Sequence, residues 1–174
     1  FLLPFLLLPS LPVFCQNLIT RDIKSFGAKG DGKTNDHEAF QRAAAFFNSR
    51  GGNGKLVIST GTYLVGQQKF NKNTTQKPVY EGADVLYLEG VKNLTIEGAN
   101  GAVVKYKNGM RFGSFHPKTG KPYKPSGNYF TNLSYAATIG NFLNLVHSRD
   151  VQIKNLQLNG NSDKIVVGGF WGDI

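Results

Sequence analysis

The stretch Gly27-Ala-Lys-Gly-Asp-Gly32-Lys33-Thr34 fits the pattern G-x4-G-K-[ST], with a short strand-like run before it and a helical run after it. Loops of this pattern hold phosphate because consecutive backbone N–H groups and the lysine surround its oxygens. Two features argue against that chemistry here. Asp31 would set a carboxylate inside an anionic cradle, and the chain that follows shows no alternating helices from which a nucleotide fold is built. The segment is expected to be a turn leading into a helix, and no nucleotide is expected as a ligand.

A second constellation is spread along the chain. From Gly98 to Arg149 there is no acidic residue, whereas the window carries Lys105, Lys107, Arg111, Lys118, Lys121, Lys124 and Arg149. Phe112, Phe115, Tyr123, Tyr129 and Phe130 are interleaved with them. Aromatic faces stack on sugar rings or bases, while Lys and Arg neutralise carboxylates, sulfates or phosphates. Arg111, His116, Lys118, Lys121, Tyr123, Lys124 and Tyr129 are therefore the candidate binding residues, and an acidic polymer is the candidate partner. Most of the net charge of +9 is concentrated in this stretch.

Other chemistries find less support. His37, His116 and His147 do not pair at metal-ligand spacing, and the single cysteine, Cys15, excludes an intrachain disulfide framework and a cysteine-rich zinc module. No metal and no cofactor are expected. No serine stands in a nucleophile-elbow motif. Asp163 and Asp173 are isolated acids and read as corner residues rather than catalysts. Asn73-Thr-Thr, Asn93-Leu-Thr and Asn132-Leu-Ser are glycosylation sequons, which have meaning only in a eukaryotic secretory host.

The elements that must position these residues are mostly short strands. One helix is predicted over residues 35–50, with Asn35 as cap and Glu38 closing a capping box. Phe40, Ala43, Ala44 and Phe47 form its apolar face, and Gly51 ends it. Residues 19–26 read as one strand. KLVIS, TYLVG, VLYLE, NLTIEG, AVVKY, FLNLVH, DVQIK and LQLNG follow, each bounded by Gly, Asn or Lys-Asn corners. Leu86/Leu88, Leu94/Ile96, Leu143/Leu145, Val151/Ile153 and Leu156/Leu158 repeat an apolar–x–apolar core, and both Leu86 to Leu94 and Leu143 to Val151 are steps of eight. Such short strands with Asn and Gly corners predict a solenoid of parallel strands, with inward pairs stacked from coil to coil. Asn155 is expected in the left-handed conformation at a sharp corner. The spacing Ile153-x-x-Leu156-x-Leu158-x-x-Asn161 matches a leucine-rich repeat once, without the recurrence that class requires. Residues 107–135 break the strand pattern and are expected to form an inserted basic-aromatic loop in a single domain spanning 16–174.

With 174 residues, 21 of them Gly, and 40% hydrophobic content, the composition excludes a disordered chain and disfavours a helical bundle. No internal apolar run is long enough for a membrane span. FLLPFLLLPSLPVFC, residues 1–15, suits the apolar region of a secretory signal, with Gln16 opening the mature chain. A secreted or periplasmic location follows. The end GGFWGDI has neither turn nor polar tail, so the sequence reads as the N-terminal piece of a longer chain.

DIKSFGAKGDGKTNDHEAFQRAAAFF, residues 22–47, resembles the N-terminal signature of the pectate-lyase-like superfamily of secreted right-handed parallel β-helix proteins. It looks most like the polygalacturonase type. GGNGKLVISTGTYLVG is similar to that family's next element, apart from Ser59-Thr60 where the family usually has proline before Gly61. LYLEGVKNLTIEGANGAVVKY and DVQIKNLQLNGN look like its coils. The resemblance implies an all-β, right-handed parallel β-helix (a solenoid) with an N-terminal capping α-helix and a long groove suited to an extended polysaccharide. It implies glycosidic hydrolysis of an acidic glycan such as a pectin. A lyase on the same scaffold, for which calcium would be the cation, and a non-catalytic glycan-binding or adhesive protein are the alternatives. The family's catalytic motifs have no counterpart here and are expected beyond residue 174. Carboxylates from coils one or two rungs apart, at ~4.8 Å per rung, would meet the ~6.5–9.5 Å separation of an inverting glycosidase. A lyase would need a base to take the proton beside a uronate carboxylate.

Overall fold

The computed structural model describes residues 18–125 and 133–169. The expected signal segment, Tyr129, Phe130, Asn132 and Asp173 lie outside the described residues. The chain is mostly β, with one α-helix, and its strands climb in coils whose equivalent strands pair in parallel.

Three faces build each coil. The first is β1 (Ile19–Asp22), β3 (Gly52–Ile58), β8 (Lys92–Gly98) and β13 (Arg149–Lys154), paired in that order. The second is β2 (Asp31–Asn35), β4 (Gly61–Val65), β9 (Ala102–Tyr106) and β14 (Gln157–Asn159). The third is β7 (Leu86–Glu89) with β12 (Leu143–Val146). A fourth, mixed sheet holds β5 (Gln68–Phe70), β6 (Tyr80–Gly82), β10 (Arg111–Ser114), β11 (Ala136–Ala137) and β15 (Val166–Gly168). Its order is β15-β10-β11-β6-β5, with the β10/β11 and β5/β6 pairs antiparallel.

Register carries the core. Gly54, Leu94 and Val151 stand opposite one another on the first face, as do Leu56, Ile96 and Ile153. Tyr63, Val104 and Leu158 do so on the second, and Leu86/Leu143 with Leu88/Leu145 on the third. The inward pairs predicted from the apolar–x–apolar pattern are thus stacked as expected. The steps of eight connect adjacent faces within one coil; the neighbour in the next coil lies 57 residues on, as for Val91 and Ser148. In the preceding coil that interval is 40. Leu86, Leu88, Leu94 and Ile96 are fully buried, whereas Leu145, Ile153 and Leu158 on the last described coil are exposed.

Corners use left-handed backbone. Asn155 is at φ 52, as predicted, and Asn161 is at φ 54. Asn53, Asn93 and Asp150 stand in line at one corner with φ of 51, 50 and 55, and Asn93 Nδ2 donates to Asn53 Oδ1 at 3.2 Å. A short polar side chain tolerates this conformation and bonds its neighbour on the next coil.

The helix α1 spans His37–Ser49 and lies against β7, β3 and the 3-10 turn Ile23–Phe26. Its predicted face, Phe40, Ala43, Ala44 and Phe47, is buried. Burying two phenylalanines contributes roughly 3–6 kcal/mol before entropy. The start differs from the capping-box expectation. Asp36 is the N-cap residue, but its carboxylate turns back to accept from Lys29 and Gly30 N–H at 2.7 and 3.0 Å. Asn35 Oδ1 accepts instead from His37 N–H, and Glu38 pairs with Arg42 one turn on. The strand expected over 19–26 also ends early. Asp22 accepts from Lys24 N–H, tightening the chain into a 3-10 turn that buries Ile23 and closes at Gly27 with φ 91.

Two glycines separate the steric from the entropic role of that residue. At Gly52, φ is +90 and an added Cβ would lie 2.2 Å from the Lys92 carbonyl oxygen, whereas nothing stands within 4 Å at Gly160. Gly52→Ala is expected to cost about 2 kcal/mol or more, while Gly160→Ala stays within about 1 kcal/mol of the parent. Urea melts of both variants check this, and equal losses would refute the account of the coil contact.

Candidate functional site

The glycine-rich loop does not present a phosphate cradle. Its N–H groups are already engaged by the chain's own carboxylates. Asp31 accepts from Lys33 N–H, Thr34 N–H and the Thr34 hydroxyl at 2.7–2.9 Å, and Asp36 takes Lys29 and Gly30. The Thr34 and Lys33 N–H groups and the Thr34 hydroxyl hold the Asp31 carboxyl at a pKa of about 2. The segment the pattern placed as a turn also contains β2, which pairs with β4.

The basic-aromatic residues, by contrast, converge on the mixed sheet. Arg111 on β10 holds its guanidinium 4.5 Å from the centre of the Tyr80 ring. Tyr80 stacks on Phe70 at 5.0 Å and meets the edge of Phe115 at 5.3 Å. Its hydroxyl donates to Gly120 O at 3.1 Å, tying β6 to the insert. Further along, His116 stands edge-on to Tyr123, and Tyr123 stacks on Tyr135 at 5.5 Å. Lys118, Lys121 and Lys124 are exposed around a hairpin bridged at Phe115 and Pro122. Six of the seven candidate residues are described, and they fall into these two adjoining aromatic groups; Tyr129 lies outside the described residues.

Arg111 is in register with Val166 on β15, and its backbone N–H and C=O are held by a side chain. Gln68 Oε1 accepts from Arg111 N–H at 2.8 Å, while Gln68 Nε2 donates to Arg111 O at 2.7 Å and Thr138 O at 2.8 Å. An open cleft of about 570 Å³ lies over the β5–β6 pair, lined by Gln67, Gln68, Lys69, Glu81, Gly82 and Ala83. Sequence reasoning missed this half of the surface. Phe70, Tyr80 and the exposed Lys69, Lys72 and Lys77 belong to it. The available signal was the run from Lys69 to Lys77, which is basic, lacks an acid and is flanked by aromatics.

Each described carboxylate has a local partner. Glu81 accepts from Asn71, Asp84 binds Asn141 and Asn144, Glu97 pairs with Lys55, and Asp163 with Lys164. Among the described residues no three His, Cys, Asp or Glu gather as a metal site. No described helix is long and apolar enough to cross a membrane.

The histidines separate as expected from their positions. His116 is in the insert, and His147 is exposed at the end of β12. His37, in the first turn of α1, is buried at 1% exposure. Its Nδ1 accepts from Gly66 N–H at 3.2 Å, so the proton sits on Nε2, which has no partner among the described residues. Burial, then the charge of Lys107, lowers its pKa below 6.5, against smaller opposing effects of Glu38 and Asp84. The folded state therefore binds this proton less readily than the unfolded chain. Stability is full above 6.5 and falls as pH drops toward the lower folded value. Thermal melts between about pH 7.5 and pH 5 should show this loss, and His37→Gln should flatten it; parallel profiles for the two proteins would refute the assignment.

A family model described as rhamnogalacturonase A/epimerase, pectate lyase-like matches residues 20–168. No curated protein sequence matches the chain. Among solved structures, the A-module of the mannuronan C-5 epimerase AlgE6 from Azotobacter vinelandii is similar at 22% identity and a TM-score of 0.53. The match covers 85% of this chain and 31% of that one, so the chain spans about a third of that module's length. The likeness is one of fold.

Proposed function

Because the chain belongs to the rhamnogalacturonase A/epimerase, pectate lyase-like family of β-helix proteins, we propose that it is a secreted protein acting on an acidic polysaccharide such as a pectin. The reading takes the solenoid as right-handed, with α1 as its N-terminal cap. The observation that carries it is the Arg111 guanidinium stacked on Tyr80, with Lys118, Lys121 and Lys124 on the adjoining hairpin. A uronate chain offers a carboxylate on each ring for such cations and apolar sugar faces for the exposed Phe70 and Phe112 rings, while the buried Tyr80 serves to hold Arg111. Tyr80 fixes Arg111 at one edge, so the cation meets a ligand with little side-chain entropy left to lose. His116 and Tyr123 extend the contact, with Tyr129 as a further candidate.

The activity assigned is hydrolysis of glycosidic bonds. No described residue receives a catalytic role, because each described carboxylate serves a turn, an ion pair or a neighbouring side chain. A lyase on the same scaffold, with calcium as its cation, is the alternative reading.

Replacing Arg111, Lys118, Lys121 and Lys124 together by Gln is expected to weaken binding of polygalacturonate about tenfold or more, roughly 1.4 kcal/mol. It should also flatten the dependence on salt, since fewer ion contacts remain to be screened. Unchanged affinity removes the insert from the account. Product analysis with the complete protein decides the activity: saturated products with new reducing ends support hydrolysis, unsaturated ends support a lyase, and binding without products supports a binder. Absence of binding overturns the proposal.

A further inference from the structure

Of the three Asn-x-[ST] sequons, two fall among the described residues; both asparagines are exposed, but the fold bonds their side chains differently. Asn93 is built into the corner stack. It sits between Lys92 and Leu94 on β8, opposite Asn53 and Asp150, and its Nδ2 donates to Asn53 Oδ1 at 3.2 Å. The next residue, Leu94, is 1% exposed and packs in the core. A glycan on Asn93 Nδ2 would replace one of its two amide hydrogens and set a sugar on a corner where coils stack at ~4.8 Å.

Asn73 stands in a different setting. It lies in the exposed loop joining β5 and β6, at φ 58, with Thr75 also exposed two residues on. Its backbone N–H donates to Pro117 O at 3.0 Å, which fixes the loop against the insert. Thr74 Oγ1 accepts from Lys77 N–H at 3.0 Å and closes the turn. The Asn73 side-chain amide makes no hydrogen bond among the described residues. Substituting it removes no side-chain hydrogen bond among the described residues, and Asn73, Lys72 and Thr75 are exposed.

We infer that Asn73 is an N-glycan acceptor of this chain and that Asn93 is carried unmodified in the folded protein. The inference rests on the proposed secretion only for its occurrence in the native host; acceptor competence is a property of the chain. In the acceptor reaction the amide nitrogen of Asn73 takes a glycosyl group from a lipid-linked oligosaccharide diphosphate, an N–C bond forms, and the lipid diphosphate leaves with the amide proton passed to solvent. The bond to Pro117 places that glycan beside His116 and Lys118, at the margin of the basic-aromatic surface.

The test is expression of the full chain behind a secretory signal in a eukaryotic host, with glycopeptide mapping of both the secreted and the cell-retained protein. Expected is a glycan on Asn73, an amidase-sensitive mobility shift abolished by Asn73→Gln and by Thr75→Ala, and unmodified Asn93 in the secreted form. Asn93→Gln should keep the Asn73 glycan. Unmodified Asn73 in both fractions overturns the inference, as does a secreted, cooperatively melting protein that carries a glycan on Asn93. Because occupancy and polygalacturonate affinity are read separately, failure here leaves the binding proposal to stand or fall on its own.

Discussion

The parallel register between successive coils is the constraint on which the rest of this protein depends. A strand that pairs with its equivalent in the next coil places like position against like position, so each inward side chain must be apolar in every coil. Leu94 and Ile96 satisfy this twice over, between Gly54 and Leu56 on one side and Val151 and Ile153 on the other. Where the chain turns, the same stacking demands a compact polar residue in the left-handed conformation, and Asn53, Asn93 and Asp150 supply it in line. A shift by one residue would turn the apolar set outward and break the corner stack at once.

That register also explains how distant segments build one surface. β4 stacks on β9 and β7 on β12, so the excursions that leave after β4 and after β9 emerge at the same corner. Residues 66–85 and 107–142 are unequal in length and unlike in sequence, yet their described strands are delivered side by side. The mixed sheet is their meeting point: β6 and β11 pair, Gln68 holds the Arg111 backbone, and Tyr80 receives the Arg111 side chain. β15, which follows β14 at the equivalent place in the next coil, joins β10 there. The coils fix position, and the excursions bring basic and aromatic side chains together.

The carboxylates serve the scaffold: Asp31 and Asp36 hold the glycine-rich loop, Asp84 ties the start of β7 to the chain entering β12, and Glu97 pairs with Lys55 across two coils. The excursions carry exposed cations, among them Lys69, Lys72, Lys77, Lys118 and Lys121. The phosphate-loop pattern misleads for the same reason. Its N–H donors are present at the right spacing, but acids of the same loop reach them first.

The sequence by itself determined the coils. Apolar–x–apolar pairs, Asn and Gly corners and one amphipathic helix are local signals, and Leu86/Leu88, Leu94/Ile96, Asn155 and the Phe40–Phe47 face all stand where those signals put them. It also marked Arg111, His116, Lys118, Lys121, Tyr123 and Lys124 as one basic-aromatic group. Hidden from it were β5, β6, β10, β11 and β15, because QKF, YEG, RFGS, AA and VVG are too short to carry an alternation that distinguishes a strand from a loop. Those strands exist through pairing between excursions far apart in the chain, and pairing partners are a property of tertiary structure. The same holds for the caps: whether Asn35 or Asp36 receives a given N–H depends on which donors the loop at Lys29–Gly30 brings near. Tertiary structure alone decided that Tyr80 would lie beneath Arg111, since only the stacked coils set β6 and β10 in the same sheet.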